Sequence, residues 1–258
     1  MIPIVLDHYH DGASKAEIFR MLATVPEKLE DVYEYILSRI IKPCYQKRTL
    51  HLMQWIFLAE RPLTITEIRY AVACVDIPKS QPPKTCADAD DFVESDDLMQ
   101  LGVTSWSGGL AEVKYHEGKK FVQFIHQSVN DFFLVSGGLI FLESVLTGTT
   151  GTHNANRLSR SSNDDIVGRS HDRLARSCIT YLKLEEVQLS RILVANLDHE
   201  LLPFLDYATK SWFLHAEKAE RLGITQAPLI EQFASPPEIL SKWIKTYNMI
   251  DEFSRYCP

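Results

Sequence analysis

Histidine and cysteine side chains are the groups in this sequence whose spacing could indicate metal chemistry. The chain has nine histidines and five cysteines. His116-Glu117 and His199-Glu200 each lack the second histidine that completes a zinc-binding helix motif, and the histidines are not paired at ligand spacing. No two cysteines form a CxxC pair. The sequence therefore predicts no metal site.

The cysteines are widely spaced and odd in number, which favours reduced thiols in an intracellular protein over a disulfide framework. They are Cys44, Cys74, Cys86, Cys178 and Cys257. The first two and Cys178 stand in apolar helical patterns, so we expect these three thiols to be buried and inert.

Motifs for phosphate binding or nucleophilic catalysis are missing. Gly118-Lys119-Lys120 has no upstream glycine at the spacing of a phosphate-binding loop and no serine or threonine after the lysine. No GxSxG nucleophile elbow occurs in the sequence. We therefore expect no catalytic residues, no enzyme activity and no cofactor for this chain alone.

Composition indicates a globular protein and argues against two kinds of partner. The chain has 258 residues, of which 45% are hydrophobic and 24% charged, with 27 basic and 34 acidic side chains and a net charge of −7. This balance gives no support for a nucleic-acid or anionic-membrane surface.

The most apolar stretch, Phe132 to Leu146, is interrupted and too short for a bilayer, so it predicts two core helices. With no targeting segment visible, we expect a cytoplasmic protein.

Hydrophobic spacing predicts a mainly α-helical fold. It indicates helices over Leu29–Ile41 and Leu50–Ala59 and a further helix over Phe92–Leu101. Thr64 and Glu67 fit a capping box, in which each side chain accepts a hydrogen bond from the other residue's backbone N–H. A third helix should therefore start at Thr64.

A small β-hairpin is the one predicted element that is not helical. Residues from Leu110 to Tyr115 alternate between apolar and polar, His116–Lys119 is typical of a turn, and Phe121–Ile125 is β-prone. Ser128 is typical of a helix cap, so the next helix should begin there.

Three helices followed by a hairpin is the element order of a winged helix, which we assign to residues 26–146. From Thr147 to Ser170 the sequence is rich in Gly, Thr, Ser and Asn without hydrophobic periodicity, which predicts a flexible linker and a domain boundary at 147–170. Residues 171–258 return to helical periodicity and predict an α-helical module.

The winged-helix order raises the alternative of a DNA-binding regulator, whose third helix would enter the major groove. Here that helix and the segment before it are acidic, and Lys84 is the only basic residue nearby. The acids are Asp88, Asp90, Asp91, Glu94, Asp96 and Asp97. Because such a face repels phosphates, the sequence disfavours DNA and favours a protein-packing role.

Several segments match patterns of one family in the expected order. Pro26–Tyr33 resembles the helix pattern LPxxLxxxYxxIL, and Gln54–Thr64 resembles WxxxAxRPLT. Gly108–Leu110 and Phe124–Phe132 resemble GGLL and FIHQSVKDFL, and Phe204–His215 resembles FLxYAxxxWxxHA. In this combination, which covers most of the chain, the sequence resembles fungal NACHT proteins, STAND-type signalling NTPases that often carry ankyrin repeats.

The resemblance implies a non-catalytic relay that couples an NTPase module to a sensor or repeat region. Residues 1–25 would be remnant helices preceding a winged helix of the GPI inositol-deacylase type. The name of this winged-helix type refers to a lipase, but lipase activity is not implied here, because the nucleophile elbow is missing. The chain lacks Walker A and Walker B motifs, so ATP or ADP belongs to a full-length relative. The implied partners are the NACHT module, the repeat region and other proteins.

His126 is the one residue for which the resemblance implies nucleotide contact. In related STAND proteins a histidine at this place, in an MHD-like motif, contacts the diphosphate of bound ADP. An imidazole N–H can donate to a phosphate oxygen. Gln127 replaces the acid of that motif. The alternative is that His126 only ties the hairpin to the next helix.

Overall fold

The computed structural model describes residues 14–17, 28–75, 84–90, 92–147, 160–190 and 201–256. It is mainly α-helical, as predicted, and contains a two-stranded antiparallel sheet. The remnant helices predicted for residues 1–25 lie outside the described residues except at 14–17, where 15–17 are helical.

From Leu29 onward, four α-helices precede the sheet in the described part of the chain. They are α1 (Leu29–Tyr35), which continues as a π-helical turn over Ile36–Ile40, then α2 (Gln46–Leu58), α3 (Ile65–Ala73) and α4 (Asp96–Ser107). The helices predicted from the hydrophobic spacing of the first sixty residues are confirmed.

The short 3-10 turn Pro43–Tyr45 joins α1 to α2 and corrects one expectation. Cys44 lies in this turn and is exposed, so the prediction of a buried thiol is wrong there. The apolar pattern on both sides belongs to two separate helices, and the turn between them faces solvent. Cys74 and Cys178 are buried, as predicted.

The predicted capping box at the start of α3 is confirmed. Thr64 Oγ1 accepts from the Glu67 N–H at 3.2 Å, and Glu67 Oε2 accepts from the Thr64 N–H at 2.8 Å. Leu63 and Ile68 flank the cap and are buried. These contacts fix the point at which α3 enters the core.

Removal of this cap should destabilise the protein. We expect Thr64→Ala to lower the free energy of unfolding by about 0.5–2 kcal/mol, because an N–H at the start of α3 loses its acceptor. Lys84→Ala, a change of an exposed side chain, should stay within about 0.5 kcal/mol. Urea melts of both variants against wild type give the comparison, and equal effects would contradict the assigned helix start.

The helix predicted over Phe92–Leu101 begins and ends later in the structure. Ser95 Oγ accepts from the Leu98 N–H at 3.2 Å and caps α4, which therefore starts at Asp96. The helix ends at Gly108, whose φ of +59° favours glycine. A Cβ at this position would lie 2.6 Å from Ile36 Cγ2, so the glycine also allows α4 to end close to the π-helical turn after α1.

The predicted hairpin is confirmed as β1 (Ala111–His116) and β2 (Lys119–Phe124), with Val113 opposite Val122. Glu117 and Gly118 form the turn, both with positive φ. The chain before α3 also pairs with β2, because Leu63 C=O accepts from the Val122 N–H at 3.1 Å. The hairpin is thus joined to the start of α3.

The apolar stretch after the sheet forms two helices, as predicted: α5 (Gln127–Leu134) and α6 (Gly138–Thr147). Among the described helices none alone is long and apolar enough to cross a bilayer. These two reach the required length and apolarity only as a pair, across a bend of 73°.

Five helices form the rest of the described chain. They are α7 (Arg160–Lys183), α8 (Glu185–Leu189), α9 (Leu205–Arg221), α10 (Ala227–Ala234) and α11 (Pro237–Tyr256). The predicted helical character of residues 171–258 is confirmed for the described part.

The linker predicted over 147–170 is wrong for its second half. Arg160 to Ser170 is the first part of α7, and residues 148–159 lie outside the described residues. Ile166 and Ser170 are buried against the rest of the protein. Tertiary contacts therefore stabilise a helix whose local sequence is polar.

One hydrophobic cluster extends across the predicted domain boundary. It contains Trp55 of α2, Ile68 of α3 and Val122 of β2 together with Cys178 of α7 and Phe204 before α9. A second cluster packs α1, α5 and α6 against α2. The segments predicted as two modules therefore share a core.

Candidate functional site

The candidate site is a cluster of charged and polar side chains where the loop after α2 meets α7 and α9. We call it the polar junction and define it by Glu60, Arg61, His171, Asp206, Tyr207, His215 and Lys218. Glu60 and Arg61 follow the end of α2, His171 lies on α7, and the other four lie on α9. The junction thus joins three elements that are far apart in sequence.

Trp55 places the polar junction against the hydrophobic core. Its side chain is fully buried near the end of α2. The indole ring meets Phe204 and Tyr207 edge-on, with ring centroids 5.5 and 5.7 Å apart, and His215 lies 6.2 Å away. Edge-to-face aromatic pairs add stability beyond the area that they bury, so this group fixes α9 on the end of α2.

A chain of hydrogen bonds runs from the loop into the interior. The Glu60 N–H donates to the Tyr207 hydroxyl at 2.9 Å, and that hydroxyl lies 2.9 Å from His215 Nε2. On the other side of the ring, His215 Nδ1 lies 2.9 Å from His171 Nδ1. Three elements are therefore connected by one continuous polar path.

The geometry assigns the protons along this path. The Tyr207 hydroxyl accepts from the Glu60 N–H, so its own proton is available for His215 Nε2. His215 then carries its proton on Nδ1 and donates to His171 Nδ1. A Glu60 carboxylate oxygen 3.7 Å from His215 Nδ1 favours the same tautomer. Both imidazoles are neutral in this arrangement.

Burial keeps both histidines neutral. Burial, together with the nearby Lys218 charge, lowers the pKa of His171 to about 4. Burial, the neighbouring His171 and Lys218 lower the pKa of His215 well below its usual value. His215 is fully buried and His171 nearly so, and the pair connects α7 to α9 inside the protein.

Ion pairs form the outer edge of the junction around Arg61. Its guanidinium donates to Glu67 at 2.6 and 3.1 Å and to Asp206 at 3.2 Å, and it lies over the Tyr207 ring at 5.2 Å. Burial raises the pKa of Asp206, but hydrogen bonds and attraction from Lys210 and Arg61 outweigh it, so this pKa is lowered overall. Arg61 therefore joins α3 to α9.

Glu60 completes the edge on the opposite side of the loop. Its carboxylate accepts from Lys218 Nζ at 2.7 and 2.9 Å. Glu60 thus binds α9 twice, through its backbone N–H at Tyr207 and through its side chain at Lys218, about three turns further along the helix. The loop after α2 is therefore attached to α9 at two points, Tyr207 and Lys218, on either side of His215 along the helix.

A cleft of about 1000 Å³ opens beside the junction, between the first turn of α3 and the hairpin turn. Its lining includes Arg61, Glu67, Asp96, Tyr115, Lys119, Lys120 and Asp206. Each of the three carboxylates accepts a hydrogen bond from an arginine, Arg61 or Arg69. These acids therefore connect the elements that line the cleft.

His126, the residue singled out for nucleotide contact, lies away from the junction. It is exposed between β2 and α5, where its Nδ1 accepts from the Ser128 N–H at 3.1 Å and caps the helix. The prediction that Ser128 caps α5 is wrong by two positions. Ser128 Oγ lies 2.7 Å from both His126 Nδ1 and the Tyr33 hydroxyl, so the cap also connects to α1.

The quoted motifs contain some of the junction residues but do not indicate that they associate. Tyr207 and His215 belong to one quoted motif and Arg61 to another, and the structure brings them together. His171 was missed, although it continues the buried spacing of Leu174 and Cys178 back along α7. In the described ranges no group of three or more histidine, cysteine or acidic residues is placed to hold a metal.

Comparison with protein-family models, with curated proteins and with solved structures finds no match to this chain. A functional assignment therefore depends on the chain's own residues and contacts.

Proposed function

We propose that this chain is a non-catalytic relay region of a NACHT-type signalling protein in the cytoplasm. In this proposal it couples an NTPase module to a sensor or repeat region through protein–protein and intramolecular contacts. The observation that carries the proposal is the polar junction, where the motif around Arg61 meets the motif around Tyr207 in direct hydrogen bonds. A relay needs such a connection between the part that meets the NTPase module and the part that meets the sensor or repeat region.

The element order supports a winged-helix module as the first part of the relay. Helices α2, α3 and α4 are followed by the β1–β2 hairpin, and the strand-like residues Leu63 and Thr64 pair with β2. The quoted family motifs lie at the ends of these elements. The proposed module therefore contributes Glu60 and Arg61 to the junction and also carries His126.

A short physical path leads from the junction to His126. Leu63 lies two positions after Arg61, and its C=O accepts from the Val122 N–H in the middle of β2. His126 is the second residue after β2 and caps α5. We propose that a displacement of α9 at the junction moves β2 and, through it, the His126 side chain.

The sequence of the transcript upstream of this reading frame tests the proposal most directly. A Walker A motif there would support it, and a transcript without an NTPase module would overturn it. In the longer protein, His126→Ala should weaken ADP binding by about tenfold or more, the loss of one charge-assisted hydrogen bond to phosphate. His116→Ala, at the exposed hairpin turn, is the matched control and should leave ADP binding unchanged.

The rival assignment, a winged helix that reads DNA, receives no support from the surface of α4. This helix contains no lysine or arginine. Its first acids are locally paired, Asp96 with Arg69 at 2.8 Å and Asp97 with Lys120 at 3.3 Å. The helix that would enter the groove thus offers no cation to the phosphates.

We expect no salt-sensitive binding to duplex DNA. Fluorescence anisotropy of a labelled duplex at low salt should stay flat into the micromolar range of protein, because phosphate neutralisation dominates DNA affinity. Binding at or below micromolar concentration with a steep salt dependence would favour the DNA-binding rival.

A further inference from the structure

Cys74 and Cys86 form a buried pair of thiols at the end of α3. Cys74 directly follows the helix, and Cys86 begins the 3-10 turn Cys86–Asp88, twelve positions later. Their Sγ atoms are 3.5 Å apart and both side chains are buried. Neither cysteine takes part in the polar junction.

The turn that carries Cys86 is held by contacts that do not involve sulfur. Glu186 Oε1 accepts from the Cys86 N–H at 2.8 Å, and the Glu186 N–H donates to Lys84 C=O at 3.1 Å. Asp88 Oδ2 accepts from the Thr85 N–H at 3.1 Å. The backbone of Cys86 is thus fixed by α8 and by its own cap, while Cys74 is fixed by α3.

We propose that Cys74 and Cys86 are a redox site that forms an intramolecular disulfide by exchange with a low-molecular-weight disulfide. Because both backbones are already in place, the sulfur atoms need to approach by only about 1.5 Å to reach bonding distance. The site requires no rearrangement of α3 or α8.

The reaction proceeds in two exchange steps. One cysteine thiolate attacks the small disulfide RSSR, forms a mixed disulfide and releases one RS⁻, which takes up a proton as RSH. The second thiolate attacks the mixed disulfide at the protein sulfur and releases a second RSH. Overall, two cysteine thiols are oxidised by two electrons, and one RSSR is reduced to two RSH.

Burial makes this site slow to react in the closed structure. Burial and the neighbouring Cys86 raise the pKa of Cys74 well above its usual value, and the thiolate is the attacking species. Exchange should therefore occur when the Cys86 turn separates from Glu186, and its rate should rise with pH and with low concentrations of urea.

A disulfide here should stabilise the folded chain. Closing a loop of this length lowers the unfolding equilibrium constant by about 100-fold in the chain-entropy account. The bond would also tie the end of α3 to the segment that contacts α8.

The test uses the full chain refolded and equilibrated in mixtures of oxidised and reduced glutathione, then alkylated and digested without reduction. Mass spectrometry should find Cys74 linked to Cys86, and the urea midpoint should rise with the linked fraction and return after reduction. Cys44→Ser, which removes the exposed thiol, should behave as wild type.

Two results would overturn the proposal. One is the absence of this linked peptide from wild type at the most oxidising ratio, with glutathione only on Cys44. The other is linkage of Cys74 to Cys178 in preference to Cys86. Because the linked peptide is measured in wild type, the conclusion stands even if Cys86→Ser, the negative control, folds poorly.

Discussion

Replacement of Trp55 by alanine should lower the free energy of unfolding by about 3–5 kcal/mol, the usual cost of removing a buried tryptophan. The indole is fully buried and contacts Phe204, Tyr207 and His215 across the junction. Since α2 and α9 share this part of the core, the loss should weaken both at once. We expect one cooperative transition, at a lower urea concentration than in wild type.

Hydrogen exchange read by mass spectrometry distinguishes a shared loss from a local one. In Trp55→Ala, backbone amides of α4 and of α9 should lose protection by the same free energy. Trp243→Ala is the matched control, because Trp243 is only half-buried and packs on Trp212, Phe233 and Tyr247 at the far side of α9. It should affect α10 and α11 more than α4. Protection lost on only one side of the junction in Trp55→Ala would contradict the shared core.

Mild acid should destabilise the protein through the buried histidine pair. The pKa of His171 is about 4 in the folded chain, whereas the usual value of 6.5 applies to the unfolded chain. As the pH falls, the unfolded chain therefore binds a proton at this residue before the folded chain does. Stability is therefore full above pH 6.5 and is lost progressively from pH 6.5 towards 4. At about 1.4 kcal/mol per pH unit, His171 alone accounts for about 2 kcal/mol between pH 6.5 and 5. His215 adds to the loss in the same direction.

Urea melts at half-unit steps of pH between 7 and 4.5 measure this slope. In His171→Gln the slope should become shallower, because one neutral buried imidazole is gone while the amide can still meet His215. His116→Gln is the control, since His116 is exposed at the hairpin turn, and it should keep the wild-type slope. An unchanged slope in His171→Gln would show that His171 does not contribute to the acid limit.

Local signals were sufficient for the elements that depend on local contacts. The capping box needs only Thr64 and Glu67, three positions apart, and the hairpin needs an alternating pattern and the Glu117-Gly118 turn. Both were predicted correctly. The cap of α5 was misplaced because Ser128 and His126 both carry side chains that can accept from the first turn, and only the backbone shows which residue precedes the helix.

Long-range contacts explain what the sequence did not indicate. The start of α7 looks like linker because Ser161, Ser162 and Asn163 are polar, yet burial of Ile166 and Ser170 later in the same helix supports it. The polar junction joins Glu60 to Tyr207 across 147 positions. No spacing within either segment predicts which partner the other will meet, so only the tertiary structure identifies the site.

The shared core has a consequence for how the chain is made. Val122 and Trp55 leave the ribosome well before Phe204 and Phe233, which belong to the same cluster. At about 5–20 residues per second, the apolar surface of the first segment waits roughly 5–20 s for the helices that cover it. During this interval the nascent first half exposes the part of its core that α9 and α10 cover once they have emerged.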